Sequence, residues 1–491
     1  MVAIETVLLG AAILLIVSVL ASKLSTRLSV PTLVIFLFIG MLAGSEGIGG
    51  IYFDDPLVAQ SIGVLALIFI LFSGGLDTPF AETRKVMGRG IVLSTFGVLI
   101  TALVVAGGVV LLLDFSPAEA FLVGAIVAAT DAAAVFSILR TQKIGFKGNT
   151  IPLLELESGS NDPMAIFLTI GAIELLRQPE MAVADLLLIF IQQIALGLIF
   201  GLAVGYLTPW VINKLRLQAD GLYPVFTVAV VLLSYAITAI LGGSGFLTVY
   251  LAGLVMSGRN FLHKRSLSRF HDALAWLMQI IMFLGLGLLV FPSQLWPVAP
   301  TGILIAIILI FVARPMSVFI GLLFSEFDFR DKLMISWVGL RGATAIVLAT
   351  FPLLAGIPQS ETIFNIVFFV VVISVLLQGS TLIPTAKLLG VTVPLTQKPQ
   401  YPFELMTNTD IRNELVEVSV PATSSAINRQ IVNLGLPENS LIVLISRGQE
   451  IVVPNGNTLI EEGDTLLVLA DKDALSKIRE RISKSSFPEG D

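Results

Sequence analysis

The sequence predicts an all-α polytopic membrane protein of 13 transmembrane helices, followed by a small α/β domain on the cytoplasmic side. Three observations predict it. Of 491 residues, 56% are hydrophobic and only 13% are charged, against about 25% charged in an ordinary soluble chain. Thirteen apolar segments, most of them close to the length a bilayer requires, follow one another at 3–23, 30–45, 58–76, 90–113, 118–138, 152–176, 184–212, 222–241, 246–258, 271–291, 298–323, 332–355 and 361–386. After Lys387 this pattern gives way to short strand and helix patterns of soluble type. The membrane part is thus read as 1–388, a Pro-containing linker as 389–411 and the soluble domain as 412–485.

The opening "MVAIETVLLGAAILLIVSVLASK" has no basic leader and no small-residue cleavage site, so it reads as a retained first span. Loop charge orients the spans that follow. With the N-terminus outside, the inner loops carry 16 basic residues, from Lys23 and Arg27 through to Arg330 and Lys332, and the outer loops carry only Arg177. The C-terminal domain is then cytoplasmic. Six spans, a linking span and six more would place the second six upside down, the inverted-repeat plan of secondary transporters. Span 5 would then correspond to span 12. In the soluble domain, "LVEVSV", "LIVLIS" and "TLLVLA" read as strands, "SSAINRQIVNL" and "DALSKIRERI" as helices, and "EEGD" as a tight turn.

Composition excludes several functions. A net charge of -6 argues against a nucleic-acid partner. With no cysteine there is no disulfide, thiol nucleophile or thiolate metal site. His263 and His271, the two histidines, fall in a basic polar stretch and read as solvated loop residues. No resident cofactor is expected, and the only metal is an alkali cation. An intramembrane aspartyl protease also uses two membrane aspartates, but its Gly-x-Gly-Asp signature is absent. A channel would need a repeated filter motif, and none is present. The chain reads as a transporter, not an enzyme.

Ionisable groups inside spans are costly and mark function by default. A rise of about 1.5 Å per residue places Asp131, Asp162 and Arg341 near mid-membrane, with Glu157 and Arg314 nearer the cytoplasm. Span 5, "LVGAIVAATDAAAVFSIL", carries a helix-capping Thr130-Asp131 in an apolar run. That signals a broken helix, which is tolerated only where it lines a cavity. Asp131 fits a structural cap and an ion ligand equally. In span 12, "SWVGLRGATAIVL", Gly339 and Gly342 flank Arg341 and let that helix unwind too. In span 6, "LELESGSNDPMAIF", residues four apart share a face, so Ser158 stacks on Asp162 with Asn161 beside them. Pro163 cannot donate to the Gly159 carbonyl, which leaves that oxygen free nearby. This face has the oxygens a dehydrated alkali cation needs. Asp162 can instead take a proton, since desolvation disfavours the charged form. One carboxylate that binds either ion is the minimum machine for exchange. Glu157 is expected to pair with Arg341 across spans 6 and 12, and Arg314 to be a structural or electrostatic partner.

With "ESGSND" before Pro163, "ATDAAAVFS" at 129–137 and "SWVGLRGA" at 336–343, the chain resembles NhaP-type bacterial cation:proton antiporters, within the monovalent cation:proton antiporter superfamily. It looks most like the potassium/proton branch with a C-terminal TrkA-C (RCK-C) domain. The resemblance implies a homodimer in the bacterial inner membrane, crossed unwound helices, and electroneutral exchange of K+, or Na+, for H+ by an elevator-like movement. It implies that Asp162 binds cation and proton, with Asn161 as partner, the Ser158 hydroxyl and the Thr130 carbonyl as ligands, a Glu157–Arg341 pair, and Asp131 as cap. A cation-coupled solute symporter of the same architecture is the rival reading. One departure stands out: relatives often carry an acid before the Gly-Gly of span 3, where this row reads "LFSGGLD" with Ser73. In several relatives the TrkA-C domain binds a regulatory nucleotide, cyclic di-AMP, which is a candidate ligand here.

Overall fold

The apolar runs become helices whose ends are set by local chemistry. The computed structural model describes residues 4–28, 32–142, 144–178, 180–394, 413–421, 424–437, 439–448 and 450–483. Residues 395–411 of the expected linker lie outside the described residues. The chain opens with α1 (Ile4–Leu28), α2 (Thr32–Ala43) and α3 (Pro56–Asp77). Asp55 starts α3 by accepting from Leu57 N at 3.0 Å and Val58 N at 3.1 Å, with Pro56 at the first helical position. Helices α4 (Phe80–Val92) and α5 (Val98–Leu112) are joined by a π-turn at Leu93–Gly97. Next come α6 (Pro117–Ile126) and α7 (Ala132–Thr141), separated by a gap, then α8 (Thr150–Arg177). A Ser116–Glu119 capping box fixes the start of α6.

Then follow α9 (Val183–Leu215), α10 (Leu222–Ile240), α11 (Gly245–Ser257) and α12 (Lys264–Leu288). The Gly197, Gly201, Gly205 stripe lets α9 lie close to Leu247, Leu251 and Val255 of α11. A short α13 (Pro292–Leu295) precedes α14 (Ala299–Ile308), a second π-turn at Leu309–Ala313, and α15 (Arg314–Gly321). The second interrupted pair is α16 (Phe329–Trp337) and α17 (Ala343–Ala355), and α18 (Ser360–Leu389) completes the membrane part. Among the described residues, eight helical stretches are long and apolar enough to cross a bilayer, while α2, α6, α11 and α17 are shorter apolar helices. The polar cluster of α8 lowers its hydropathy.

Two short strands lie between helices. β1 (Ile144–Phe146), in the α7–α8 connection, pairs antiparallel with β2 (Thr392–Pro394), just after α18. Residues Met1–Thr396 form one compact unit and Gln397–Asp491 another.

The second unit is a four-stranded antiparallel sheet in the order β3-β6-β4-β5, built from β3 (Asn413–Ser419), β4 (Ser440–Arg447), β5 (Glu450–Val452) and β6 (Thr465–Asp471). The helix α19 (Lys472–Ser483) supplies Leu475, Ile478 and Ile482 to a core shared with Ile442, Ile445, Leu466 and Val468. The helix expected at "SSAINRQIVNL" is not formed. Turns and a short 3-10 helix, Ile431–Leu434, stand there instead. The reason is competition for backbone donors. The N–H groups of Asn428, Ile431 and Val432 donate to the carbonyls of Ile460, Thr458 and Gly456, and Asn428 has a left-handed φ of 61°.

Candidate functional site

Two gaps in helices face each other. α6 stops at Ile126 and α7 begins at Ala132, while α16 stops at Trp337 and α17 begins at Ala343. Each helix end leaves backbone groups without partners, and here the gaps supply one another. The Asp131 N–H donates to the Leu340 carbonyl at 2.7 Å. Arg341 Nη1 donates to the carbonyls of Ala128 at 2.7 Å and Ala129 at 2.8 Å. A cation therefore meets the negative end of α6. Asp131 meets the positive start of α7, its Oδ1 accepting from Ala134 N at 3.1 Å. The capped break read from Thr130-Asp131 is present. Gly342 is there for room: its φ of -118° suits any residue, but a Cβ would lie 2.1 Å from Asp131 Oδ2.

The polar face of α8 packs into the first gap. Ser158 Oγ donates to the Thr130 carbonyl at 2.8 Å and accepts from Ala132 N at 3.0 Å. Asn161 Nδ2 donates to Thr130 Oγ1 at 2.5 Å. Asp162 Oδ2 accepts from the Thr344 hydroxyl of α17 at 3.0 Å. The structure thus gathers Thr130, Ser158, Asn161 and Asp162 at one place. Asn161 is 0% and Asp162 7% exposed. Asn161 Oδ1 and Asp162 Oδ1 are buried and accept no hydrogen bond from any described group. Buried acceptors are normally satisfied, so two orphaned oxygens on residues adjacent in sequence make this the candidate site.

The expected Glu157–Arg341 pair is not formed. Glu157 pairs with Arg314 instead: Arg314 Nη1 donates to Glu157 Oε1 and Nη2 donates to Oε2 at 2.9 Å. Nη2 also donates to the Ile335 carbonyl at 3.3 Å. Position along the helices explains the correction. Arg314 opens α15 beside Glu157 of α8, whereas Arg341 is at the break and is taken by the α6 carbonyls. Gly339 makes space for Arg314, because a Cβ there would lie 2.5 Å from its Nε. Arg314 directly follows the second π-turn, a local rewinding of the kind found at functional positions.

Other readings change as well. Ser73 is buried in α3, at 4% exposure, and no hydrogen bond links it to Asp162. His271 is not a solvated loop residue. α12 begins at Lys264, earlier than the expected span, and this turns His271 inward to 1% exposure. Its Nε2 lies 2.9 Å from Thr227 Oγ1, with Phe72 and Phe270 edge-on to its ring. His263 stays at the start of α12, against Tyr223.

Three polar residues at the site were not singled out from the sequence: Thr344, Ser374 and Gln378. The available signal was position. Thr344 is three residues past Arg341, and Ser374 and Gln378 share a face, four apart, inside the last apolar run.

Comparison with known proteins gives the family. The profile of the sodium/hydrogen exchanger transmembrane family matches residues 11–388, and that of the TrkA-C domain matches residues 415–483. The chain is 39% identical over 477 residues to the K(+)/H(+) antiporter NhaP2 of Shewanella sp. (strain ANA-3), covering 96% of this chain and 83% of that one. It is 38% identical over 469 residues to the K(+)/H(+) antiporter NhaP of Alkalimonas amylolytica, covering 95% and 81%. Identity to the Na(+)/H(+) antiporter NhaH of Halobacillus aidingensis is 30% over 403 residues, covering 77% and 96%. Among solved structures, the sodium proton antiporter MjNhaP1 from Methanocaldococcus jannaschii shares the fold, with a TM-score of 0.67 and 24% identity over 76% of this chain and 99% of that one. With paired helix breaks joined to a buried Asn-Asp, and with these matches along nearly all its length, the chain belongs to the sodium/hydrogen exchanger family as an NhaP-type member carrying a TrkA-C domain.

Proposed function

We propose that the protein exchanges a monovalent cation for a proton across a bacterial cell membrane, with Asp162 binding one or the other in turn. A count of charge carries this reading. The bidentate Glu157–Arg314 pair cancels itself. Arg341 and Asp131 hold opposite signs and each meets the helix end that suits it. Asp162 remains as the one carboxylate of the cluster without a countercharge. A net charge of minus one takes one alkali cation or one proton and is neutral either way, so exchange is electroneutral. The cation's ligands are Asp162 Oδ1, Asn161 Oδ1, the Thr130 carbonyl and the Ser158 hydroxyl. A loaded, neutral site crosses apolar surroundings at far lower cost than a bare carboxylate.

K+ is the favoured cation, because the relatives matched over most of the chain at 38–39% identity are named as K(+)/H(+) antiporters; Na+ is the second choice. Those names also weigh against the solute symporter. The site is carried by helices of one group, α6 to α8 and α15 to α18, which suits a homodimer in which that group moves as an elevator and the rest is fixed. Thirteen spans, with the N-terminus outside and the TrkA-C domain in the cytoplasm, fit the loop charges. Regulation through that domain is supported by the β1–β2 ladder, which ties the exit of α18 to the connection entering α8. Lys147 strengthens the tie, its N–H donating to the Val391 carbonyl at 3.0 Å and its Nζ to the Gly390 carbonyl at 2.8 Å. Cyclic di-AMP is the first ligand to try on the domain.

The test is cation-driven proton flux in proteoliposomes, comparing K+, Na+ and Li+. Asp162→Asn is expected to abolish it, and normal flux in a folded Asp162→Asn protein would sink the assignment.

A further inference from the structure

The second helix break is braced from α18. Between α16 and α17 the chain loses its regular helical bonds, and orphaned groups at such ends need other partners. Two side chains of α18 provide them. Gln378 Nε2 donates to the Trp337 carbonyl at 2.9 Å, on one side of the break. The Arg341 N–H, on the other side, donates to Ser374 Oγ at 3.0 Å. The two side chains are joined, since Ser374 Oγ donates to Gln378 Oε1 at 2.6 Å. Both are 0% exposed. The pair bridges the gap from behind.

We infer that Ser374 and Gln378 are positioning residues for the ion site, holding the α16–α17 break in the shape that sets cation affinity and selectivity. The inference rests on the transport reading above and assigns two residues to it. The path is continuous. Ser374 fixes the Arg341 backbone, Arg341 Nη1 holds the Ala128 and Ala129 carbonyls, and the next residue is Thr130. Thr130 in turn presents its carbonyl to Ser158 and its hydroxyl to Asn161. Every link is a hydrogen bond between named atoms, and Ser374, Gln378, Arg341, Thr130 and Asn161 are buried, with Ser158 half-buried. The Ser374–Gln378 brace itself is closed, with the Ser374 hydroxyl both accepting from Arg341 N and donating to Gln378 Oε1. Alkali cations differ chiefly in radius, so a small shift of the ligand oxygens changes which ion fits. The alternative is that the pair serves folding alone. The two roles separate by experiment, because a purely structural pair moves stability and leaves cation KM and ion preference where they were.

The experiment uses the full chain in proteoliposomes, with K+, Na+ and Li+ titrated separately and thermal stability measured on the same preparations. Wild type and Asp162→Asn come first. Absence of cation-driven flux in wild type means that the transport reading itself has failed. With wild type active and Asp162→Asn inactive, Ser374→Ala and Gln378→Leu are expected to raise the cation KM about tenfold or more, since each orphans a buried backbone group. They are also expected to narrow the spread among the three cations. Ser374→Thr, which keeps the hydroxyl, stays near wild type, and Ser374→Cys, a weaker donor and acceptor, falls between. A flat KM and unchanged ion preference across folded variants overturn the inference. So does loss of folded protein in all four variants, which would make the pair a requirement of assembly only.

Discussion

Glu157 and Arg314 form a fully buried, bidentate ion pair, and breaking it from one side has a calculable consequence. Glu157 is 1% and Arg314 3% exposed, and two parallel hydrogen bonds join them. Removing one partner leaves the other as an uncompensated buried charge, at a cost of about 3–5 kcal/mol. Removing both takes away the charge and the desolvation penalty together, which is often neutral or stabilising by about 1–4 kcal/mol. Glu157→Leu and Arg314→Met should therefore each strongly lower the thermal midpoint and the monodisperse yield of the purified protein, and the double variant should recover most of the loss. A cycle with Arg341 discriminates. Glu157→Leu with Arg341→Met should show little recovery, because Arg341 binds the Ala128 and Ala129 carbonyls and Arg314 is still left unpaired. Coupling is measured as the departure from additivity, resolvable from about 0.5 kcal/mol upward. Stronger coupling of Glu157 to Arg341 than to Arg314 would refute the pairing and restore the one read from the sequence.

Further outcomes follow from single contacts. Thr344→Val removes one hydrogen bond to a carboxylate, worth about 1.5–3 kcal/mol, and should lower transport efficiency by about ten- to a hundredfold; Thr344→Ser should restore it, and equal kinetics for Val and Ser would show that the hydroxyl is idle. Lys147→Ala loosens the β1–β2 tie well away from the ion ligands, so turnover should change at constant cation KM, and a change in KM instead would place Lys147 in the ion path. Gly159→Ala would set a Cβ 2.1 Å from the Tyr250 ring, so folded yield should fall, and a fully stable variant would mean that α8 and α11 separate more readily than their contact suggests. Glu46 accepts from the Ser293 N–H at 2.7 Å and from its hydroxyl, and these bonds hold its carboxyl below the ordinary carboxylate range. Because the folded group titrates lower than the unfolded one, its contribution is present above the unfolded pKa and is lost as pH falls through the folded one. Wild type and Glu46→Gln should thus differ in thermal midpoint at neutral pH and converge once pH falls below the ordinary carboxylate range; a difference that persists in strong acid would count against the carboxylate.

What was legible in the sequence depended on whether a signal was local. Thr130-Asp131 in an apolar run marks a helix break because capping is decided within four residues, and the break is there. The Ser158, Asn161 and Asp162 face follows from helical periodicity alone. The Glu157 partner was not legible in that way, since choosing between Arg314 and Arg341 requires knowing which helices touch. The "SSAINRQIVNL" segment failed for a similar reason: its pattern permits a helix, but the 456–460 segment offers carbonyls that its own helix would have to outbid. Gly342 was read for flexibility, yet its role is to leave room for Asp131.

The arrangement also explains why an arginine with no carboxylate partner is tolerated at 1% exposure. Arg341 Nε and Nη2 make no hydrogen bond to any described group, so its charge must be offset by something other than an ion pair. The free carbonyls at the end of α6 carry a partial negative charge of about half a unit, and Arg341 Nη1 is bonded to two of them. The positive start of α7 lies across the same gap, held by Asp131. Breaking one helix thus creates a fixed pair of opposite partial charges, and a residue of opposite sign answers each. Without the break, Arg341 would be a buried cation with neither a carboxylate nor a helix end to answer it. With the break, Arg341 is engaged by the α6 carbonyls, and Asp162 Oδ1 accepts no hydrogen bond from any described group. Because Arg341 Nη1 holds the two carbonyls just before Thr130, a change of its head group should shift the Thr130 carbonyl and hydroxyl that meet Ser158 and Asn161. Arg341→Lys keeps the charge but has no planar fork to span two carbonyls. It should weaken cation binding more than stability, and a variant with wild-type cation KM would show that any buried cation at this position suffices.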